Sequence, residues 1–416
     1  MPESRFPRPG HGGRALDLLN FFLANVQTGF GPFVAVYLTT QKWTEGDIGL
    51  MISVGTIVSV ASQVPAGLLV DAARSKRIAA GAAIGGVMAA ALLLALWPIA
   101  LSVLAAEVIH GMASSVLTPA IAALSLGLVG HAALGERLGR NASFAALGNG
   151  LAAAAMGAAG SALGTRSVFW LTAGLGLPAL AALAAMGRRG APAAHATEEK
   201  ERLTRRALSA LLRDRRLLVF GSAIALFFLS NGAVLPLAAS LVTRQAGDRA
   251  SLLIAAAIVL PQAVVTLASG AVGRQAERLG RRPLLLLGWG LLPLPALLLA
   301  LLPATGPLLA GQAIGGISAA VGGVMLPLIA ADLSRELGHF NLCVGLFGLC
   351  AAAGATLSTA LAGAVADAAG NRVAFTCLAV AGLAALALLW AAMPETRIAA
   401  VAAARPRRVD PRQAQE

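Results

Sequence analysis

Long stretches without a charged side chain constrain the fold of this chain more than any other feature of its sequence. Residues 78–135, interrupted only by Glu107, and residues 283–331 are each long enough for two membrane-spanning helices. About 20 apolar residues cross a bilayer as a helix, which satisfies its own backbone polar groups. Runs long enough for one helix each cover residues 18–41, 48–70, 141–165, 167–187, 217–243, 250–273, 337–366 and 373–394. The sequence therefore predicts an all-α integral membrane protein with twelve transmembrane helices.

The distribution of basic residues predicts the orientation in the membrane. The formal net charge is +13, yet only 12% of residues are charged, against about 25% in soluble domains. With the amino terminus inside, all but five of the 32 Lys and Arg residues fall in cytoplasmic segments. The exceptions are Lys42, Arg166, Arg244, Arg249 and Arg372. This bias predicts that both termini are cytoplasmic, and it explains the basic excess without a nucleic-acid partner.

The two halves of the chain repeat each other. Residues 116–124 (VLTPAIAAL) match residues 324–332 (VMLPLIAAD), and residues 164–169 match residues 370–375 at nearly the same offset. A six-helix unit used twice is a transporter architecture, with the substrate site between the units. We predict a cytoplasmic amino-terminal segment, a first bundle, a cytoplasmic linker, a second bundle and a cytoplasmic tail, at residues 1–15, 16–187, 188–216, 217–396 and 397–416.

A glycine, an acid and a basic cluster follow the second helix of each half. The first copy contains Gly67, Asp71, Lys76 and Arg77. The second contains Gly273, Glu277, Arg278, Gly280, Arg281 and Arg282. The second copy resembles, position for position, the signature loop of the major facilitator superfamily, with glutamate replacing aspartate. The resemblance extends over the whole chain by helix count, repeat and topology, and it implies two pseudo-symmetric six-helix bundles.

Physical chemistry suggests what these loops do. Gly67 and Gly273 permit helices to approach closely. Asp71 and Glu277 lie where a helix ends, so they can pair with loop arginines or meet the positive N-terminus of a neighbouring helix. The resemblance implies that such contacts latch the outward-facing state. Ordinary anchoring of charges at the membrane surface is the alternative.

Glu107 is the one acid within the predicted fourth helix. At 1.5 Å per residue from Pro98, it would lie roughly 13 Å deep and His110 roughly 18 Å deep, near the midplane. Glu107, His110, Ser114 and Thr118 share a helical face. Ionisable residues at this depth usually face a cavity. The pair could couple transport to proton movement, hold a cationic substrate, or join helices as a structural polar pair.

The superfamily resemblance sharpens this set of candidates. Many members carry Arg-x-x-Gln-Gly-x-Gly in the fourth helix, where this chain has Glu107, His110, Gly111 and Ala113. Helices 1, 4, 7 and 10 line the central cavity in the superfamily. The implied cavity-lining residues are Asn20, Asn25, Gln27, Ser114, Thr118, Asn231 and Gln312. Gln63, Asn149 and Gln262 are weaker candidates, because amides also join helices.

We expect a secondary active transporter that works by rocker-switch alternating access, with proton-coupled efflux of a small amphiphilic or cationic organic molecule. Proton-coupled or facilitative uptake of a small metabolite is the alternative. No GxxxxGK[ST], HExxH or GxSxG motif is present, so neither an ATP-driven pump nor an enzyme is expected.

Neither a cofactor nor a metal site is expected, because the other predicted helices supply no carboxylates to complete a di-iron set. The expected partners are the substrate, the proton and membrane lipid. One chain already contains both halves, so we expect a functional monomer. Only three of the basic residues are lysine and alanine is abundant, which suggests a GC-rich bacterium and hence the inner membrane.

Overall fold

The chain folds into a bundle of membrane-spanning helices. The computed structural model describes residues 11–30, 32–186, 213–238, 250–335 and 339–397, which form helices and no strand. Within these residues, twelve helical stretches are long and apolar enough to cross a membrane. The predicted all-α membrane fold with twelve spans is therefore confirmed.

We number the spans in chain order. In the first half, spans 1 to 6 are His11–Thr28 with Pro32–Thr40, Glu45–Ala72, Lys76–Leu96, Ala100–Val129, Leu134–Leu163 and Ser167–Ala185. In the second half, spans 7 to 12 are Arg215–Asn231 with residues 234–238, Ala250–Leu279, Arg281–Trp289 with Leu294–Leu301, Thr305–Leu333, Phe340–Ala369 and Asn371–Ala392.

The predicted segment boundaries differ from the helix ends in two places. Span 1 begins at His11, inside the segment predicted to precede the first bundle. Span 7 begins at Arg215, inside the predicted linker, where Asp214 caps the helix by accepting a hydrogen bond from the Arg216 N–H at 2.7 Å. The rest of the linker, the tail beyond Arg397, and the predicted external residues Arg244 and Arg249 lie outside the described residues.

A turn that contains proline divides each of the two long uncharged runs into two spans. Span 3 ends at Leu96 and span 4 begins at Ala100, with Pro98 between them. Span 9 ends at Leu301 and span 10 begins at Thr305, with Pro303 between them. Proline has no N–H to continue a helix, so it favours a break at these positions.

The two halves meet through glycines at one end of the bundle. We call this the basic end: spans 2, 4, 8 and 10 finish there and spans 3, 5, 9 and 11 begin there. Gly67 of span 2 contacts the Asn341 backbone of span 11, and Gly345 of span 11 contacts the Gln63 backbone. Because glycine has no side chain, the backbones of spans 2 and 11 come into direct contact.

Spans 5 and 8 form the second seam in the same way. Gly139 contacts the Ser269 carbonyl, and Gly273 contacts the Gly135 carbonyl. Towards the opposite end the glycines of these seams lose their neighbours, and a Cβ added at Gly157 or Gly363 would have nothing within 4 Å. The two halves therefore pack closely at the basic end, and they are not in close contact at Gly157 and Gly363.

We predict that Gly139→Ala destabilises the protein, because the new Cβ would collide with the Ser269 carbonyl across the seam. Overpacking of this kind costs about 1–3 kcal/mol. Thermal unfolding of the purified protein measures the effect. The control is Gly157→Ala in the same span, which has open space and should be neutral or stabilising by up to about 1 kcal/mol. Equal melting temperatures for the two variants would contradict a tight seam.

Candidate functional site

Span 11 takes its N-terminal cap from the other half of the molecule. Its N-cap residue, His339, provides no side-chain hydrogen bond. Instead, Asp71 of span 2 accepts hydrogen bonds from the Asn341 N–H at 3.2 Å, the Asn341 Nδ2 at 2.7 Å and the Leu342 N–H at 2.9 Å. The carboxylate therefore satisfies free N–H groups and lies at the positive end of the helix dipole.

Span 5 is capped in the same way from the opposite direction. Its N-cap residue, Ala133, provides no side-chain hydrogen bond. Glu277 of span 8 accepts a hydrogen bond from the Gly135 N–H at 3.0 Å and pairs with Arg281 at 3.2 Å. Each half thus caps a helix of the other, across both seams at the basic end.

The remaining residues of the two signature loops bind within their own halves. The Lys76 Nζ donates to the carbonyls of Asp71 at 3.0 Å and Ala73 at 3.3 Å. The Arg77 Nη2 donates to the Leu183 carbonyl at 3.0 Å, and the Arg282 Nη2 donates to the Trp390 carbonyl at 2.8 Å. The two arginines therefore cap the C-terminal ends of spans 6 and 12.

Span 9 has an acidic cap that the loop motif did not predict. Gly280, at a φ of 98° that favours glycine, leads into the span, and the Arg281 and Arg282 N–H groups donate to Glu395 at 2.9 and 3.1 Å. The Arg281 Nε also pairs with Asp332 at 2.8 Å. Arg278 is exposed, and its carbonyl accepts from the Arg397 Nη1 at 2.9 Å.

A cavity of about 380 Å³ lies between the two halves. Spans 1, 4 and 5 of the first half and span 10 of the second half form its wall. Its polar lining residues are Asn20, Gln27, Thr118, Asn141 and Asn149, and span 10 contributes Gly323, Leu326 and Pro327. None of the described residues in this wall carries a charge. The size falls within the usual range for small-molecule sites.

The structure brings some of the predicted residues to this cavity and not others. Asn20, Gln27, Thr118 and the weaker candidate Asn149 line it. The predicted residues that do not line it are Glu107, His110, Asn25, Ser114, Asn231, Gln312, Gln63 and Gln262. The Asn25 amide instead donates to the Phe21 carbonyl at 2.7 Å and lies against Gly148 of span 5. Asn141 and Asn149 follow Leu138 at helical spacing, with Ala142 and Ala145 between them. This stripe along span 5 was the available signal for both residues.

The lining amides differ in which of their atoms are already bonded. The Asn20 Nδ2 donates to the Leu16 carbonyl at 2.7 Å. Asn149 accepts at Oδ1 from the Thr28 Oγ1 at 3.0 Å. Asn141 is bonded at both ends: it accepts from the Arg137 Nε at 2.8 Å and donates to the Ser125 Oγ at 2.6 Å. The Gln27 side chain makes no hydrogen bond to the described residues.

Glu107 is buried between spans 2 and 4, where it is 6% exposed. Its carboxyl group occupies the space beside Gly55 of span 2, and its Oε1 has no hydrogen-bond partner among the described residues. His110 lies elsewhere, stacked on Phe30 of span 1 with ring centroids 3.7 Å apart. Within the described residues, no hydrogen bond or ion pair joins Glu107 to His110, so the expected pair is not formed.

Glu107 does not line the cavity because span 4 is long and different neighbours cover different parts of it. The Thr118 end of the predicted face opens on the cavity. From Thr118 towards Glu107, the same face lies against span 2. Gly111 contacts the span 2 backbone, and Ser115 donates to the Ser59 carbonyl of span 2 at 3.0 Å. Span 2 therefore covers the part of the face that carries Glu107. Helical periodicity predicts which residues share a face but not what covers that face along 30 residues.

A cluster of charged residues lies between the cavity and the basic end, and the sequence analysis did not predict it. Arg137 of span 5 pairs with Asp17 of span 1, and their side chains are 4% and 5% exposed. Arg140 pairs with the other oxygen of Asp17, and the Arg137 Nη1 donates to the Gly13 carbonyl at 3.2 Å. Asp17 directly precedes the first uncharged run, and Arg140 directly precedes another, with Arg137 one helical turn earlier. Charges at such positions usually face water, which is why the pairing could not be foreseen.

Two helical bundles around a central cavity are typical of membrane transporters. The Major Facilitator Superfamily model matches residues 16–264 and 221–414, and this chain belongs to that superfamily. The family is one of membrane transporters, so this protein transports a substrate across a membrane.

Two relatives and two solved structures are similar over most of the chain. The uncharacterized MFS-type transporters MT2531 and Rv2456c, from two strains of Mycobacterium tuberculosis, are each 36% identical over 399 residues, covering 93% of this chain and 94% of theirs. The human organic anion transporter MFSD10 (TETRAN) is 18% identical with a TM-score of 0.72, covering 92% of this chain and 100% of that one. The E. coli fucose:proton symporter FucP is 16% identical with a TM-score of 0.73, covering 91% and 97%.

We predict that Asp17→Ala is strongly destabilising, because it leaves Arg137 buried without a counter-charge. Removing one partner of a buried ion pair costs about 3–5 kcal/mol. Thermal unfolding of the purified protein measures the loss. Asp47→Ala removes an exposed carboxylate of span 2 and should change stability by about 0.5 kcal/mol or less. A second control, Asp17→Leu with Arg137→Met, should recover much of the loss, and equal destabilisation by all three changes would contradict the paired assignment.

Proposed function

We propose that this chain is a secondary active transporter that exports a small amphiphilic organic molecule, coupled to protons, by rocker-switch alternating access. One observation carries the proposal: an uncharged cavity lies between two halves whose contacts at the basic end are reciprocal helix caps. Such contacts join the two bundles through hydrogen bonds to helix ends, which can be exchanged for bonds to water. They can therefore open and re-form as the halves tilt.

The conformation supports an outward-facing assignment. The positive-inside bias makes the basic end cytoplasmic, and both termini with it. At that end the two seams are closed, while Gly157 and Gly363 nearer the other end have no neighbours within 4 Å.

In this proposal the signature loops form a latch. Asp71 and Glu277 hold the basic end closed through their bonds to spans 11 and 5. Gly67 and Gly273 let the backbones approach closely enough for those bonds to form. The basic residues Lys76, Arg77, Arg281 and Arg282 fix the loop and helix ends that carry the acids, while Gly280 and Arg278 shape the second loop.

We predict that Asp71→Asn shifts the population towards states open at the basic end. The substitution keeps the shape of the side chain but removes a charge–dipole interaction worth about 0.3–1 kcal/mol, which corresponds to a population change of about two- to fivefold. The measurement is the rate at which a membrane-impermeant maleimide, added from the basic side, labels an Ala145→Cys variant. Glu277→Gln should act in the same direction.

The matched control for the latch is Asp47→Asn on the same span. Asp47 accepts from the Thr44 Oγ1 at 2.7 Å and makes only local contacts among the hydrogen bonds of the described residues. Its substitution should leave the labelling rate unchanged. Unchanged labelling in Asp71→Asn as well would mean that the loop only anchors charge at the membrane surface.

We propose Glu107 as the proton-binding residue, with His110 as a second titratable group further along span 4. A carboxylate buried beside Gly55 with a free Oε1 is costly to ionise, so it should carry a proton until the helices around it move. The separation of the two side chains supports independent roles in place of a coupled pair. A cationic substrate would depend on Glu107 alone, because the described cavity wall is uncharged.

We predict that Glu107→Gln separates substrate exchange from proton movement. The test uses proteoliposomes that contain a pH-sensitive dye and a panel of small aryl amides and amines, added one compound at a time. With the native protein, a transported compound should change the lumenal pH, and an imposed pH gradient should drive its accumulation. The Gln variant should still exchange the compound but should lose both effects. A fully gradient-driven Gln variant would exclude Glu107 as the coupling residue.

Uptake of a small metabolite is the second candidate, and the uncharged, amide-bearing cavity wall favours it. The direction of accumulation under opposite pH gradients in the same vesicles distinguishes uptake from export. We also propose the bacterial inner membrane as the location, which the Mycobacterium tuberculosis relatives support. A monomer should suffice, because one chain supplies both walls of the cavity.

A further inference from the structure

The cavity wall has a polar side and an apolar side. The hydrogen-bonding groups all come from the first half: Asn20 and Gln27 on span 1, Thr118 on span 4, and Asn141 and Asn149 on span 5. The wall that span 10 contributes contains Gly323, Leu326 and Pro327, which have no polar side-chain atom. A ligand that fills this space would meet amides along one edge and hydrocarbon along the other.

The existing hydrogen bonds determine which amide atoms remain for a ligand. The Asn20 Nδ2 donates one of its two hydrogens to the Leu16 carbonyl, and its Oδ1 has no partner among the described residues, so the Oδ1 is an open acceptor. The Thr28 hydroxyl shares its one hydrogen between the Ala24 carbonyl and the Asn149 Oδ1, and the Asn149 Nδ2 is left as a donor. The Gln27 side chain makes no hydrogen bond to the described residues, so it offers both a donor and an acceptor. Asn141 is held by Arg137 and Ser125 and serves as a fixed part of the floor.

The charge around the cavity excludes a strong preference for ions. Beneath Asn141 lie Arg137 and Arg140, and the acids Asp17 and Glu136 of the same region balance them. Glu107 lies on a different part of span 4, where it faces Gly55 of span 2, and it is not part of the cavity wall. A charged ligand would lose part of its hydration on entering the cavity without gaining a counter-charge from the wall, and that is unfavourable.

We infer that the central site binds an uncharged amphiphile that carries a hydrogen-bond donor and an acceptor on one edge, such as a primary amide, and an apolar opposite face. The inference rests on the proposed transport function for its physiological meaning, but the binding itself does not depend on it. The ligand's donor meets the Asn20 Oδ1 and its acceptor meets the Asn149 Nδ2. Gln27 binds either group, and Leu326 and Pro327 contact the apolar face.

The test measures protection of a thiol introduced in the cavity wall. The full chain carries Ala142→Cys, with Cys343, Cys350 and Cys377 replaced by alanine, and it is reconstituted in nanodiscs. Maleimide labelling is followed in the presence of a matched panel, in which each aryl scaffold is available as a primary amide, an ammonium and a carboxylate. Amide members should protect the thiol at lower concentrations than their charged counterparts.

Variants link the protection to the assigned atoms. Gln27→Leu and Asn149→Ala should each raise the amide concentration for half-protection by about two- to tenfold, the value of one hydrogen bond. Gln27→Leu breaks no bond to the described residues, so it remains informative if Asn149→Ala folds poorly. Gln312→Ala changes a half-buried amide of span 10 outside the cavity wall and should have no effect.

Three results would overturn the inference: better protection by an ammonium or a carboxylate, no protection by any amide of the panel, or unchanged half-protection in both variants. Exchange of the protecting amide by proteoliposomes then tests the transport function separately. Protection without exchange supports the ligand class and contradicts the proposed transport of it. Exchange of charged members alone supports transport and contradicts the ligand class.

Discussion

Among the helices that begin without a capping side chain of their own, spans 5 and 11 each receive a cap from the other half. A helix N-terminus has N–H groups that the helix cannot satisfy, and in a membrane protein few alternatives are close by. Asp71 and Glu277 satisfy them for spans 11 and 5. These caps depend on the close glycine contacts, because the carboxylates reach the helix ends only when the backbones touch, and together they keep the basic end closed.

Most of the fold could be predicted from the sequence, because its determinants are local. Uncharged runs give the spans directly, and Pro98 and Pro303 mark turns inside the longest of them. The loop glycines and acids could be identified because their pattern occurs twice. The helix boundaries near His11 and Arg215 could not, since charged and polar residues are also compatible with the first turns of a helix.

The cavity was less predictable, because its wall depends on which helix covers which face. Thr118 and Glu107 lie on one face of span 4, yet span 2 covers only the part that carries Glu107. The polar groups of the wall are neutral amides, and an amide in a membrane helix serves equally well to join helices. Asn25 does the latter, and Asn149 does both, since it bonds Thr28 and also lines the cavity.

The two caps are unequal, and this has a consequence for the path of opening. Asp71 accepts three hydrogen bonds from span 11, whereas Glu277 accepts one from span 5 and shares its charge with Arg281. The cap on span 5 is therefore the weaker of the two caps, although spans 5 and 8 pack closely along their seam. We expect the Glu277 bond to the Gly135 N–H to be lost first on opening, which would admit water at the end of span 5 that carries Asn141.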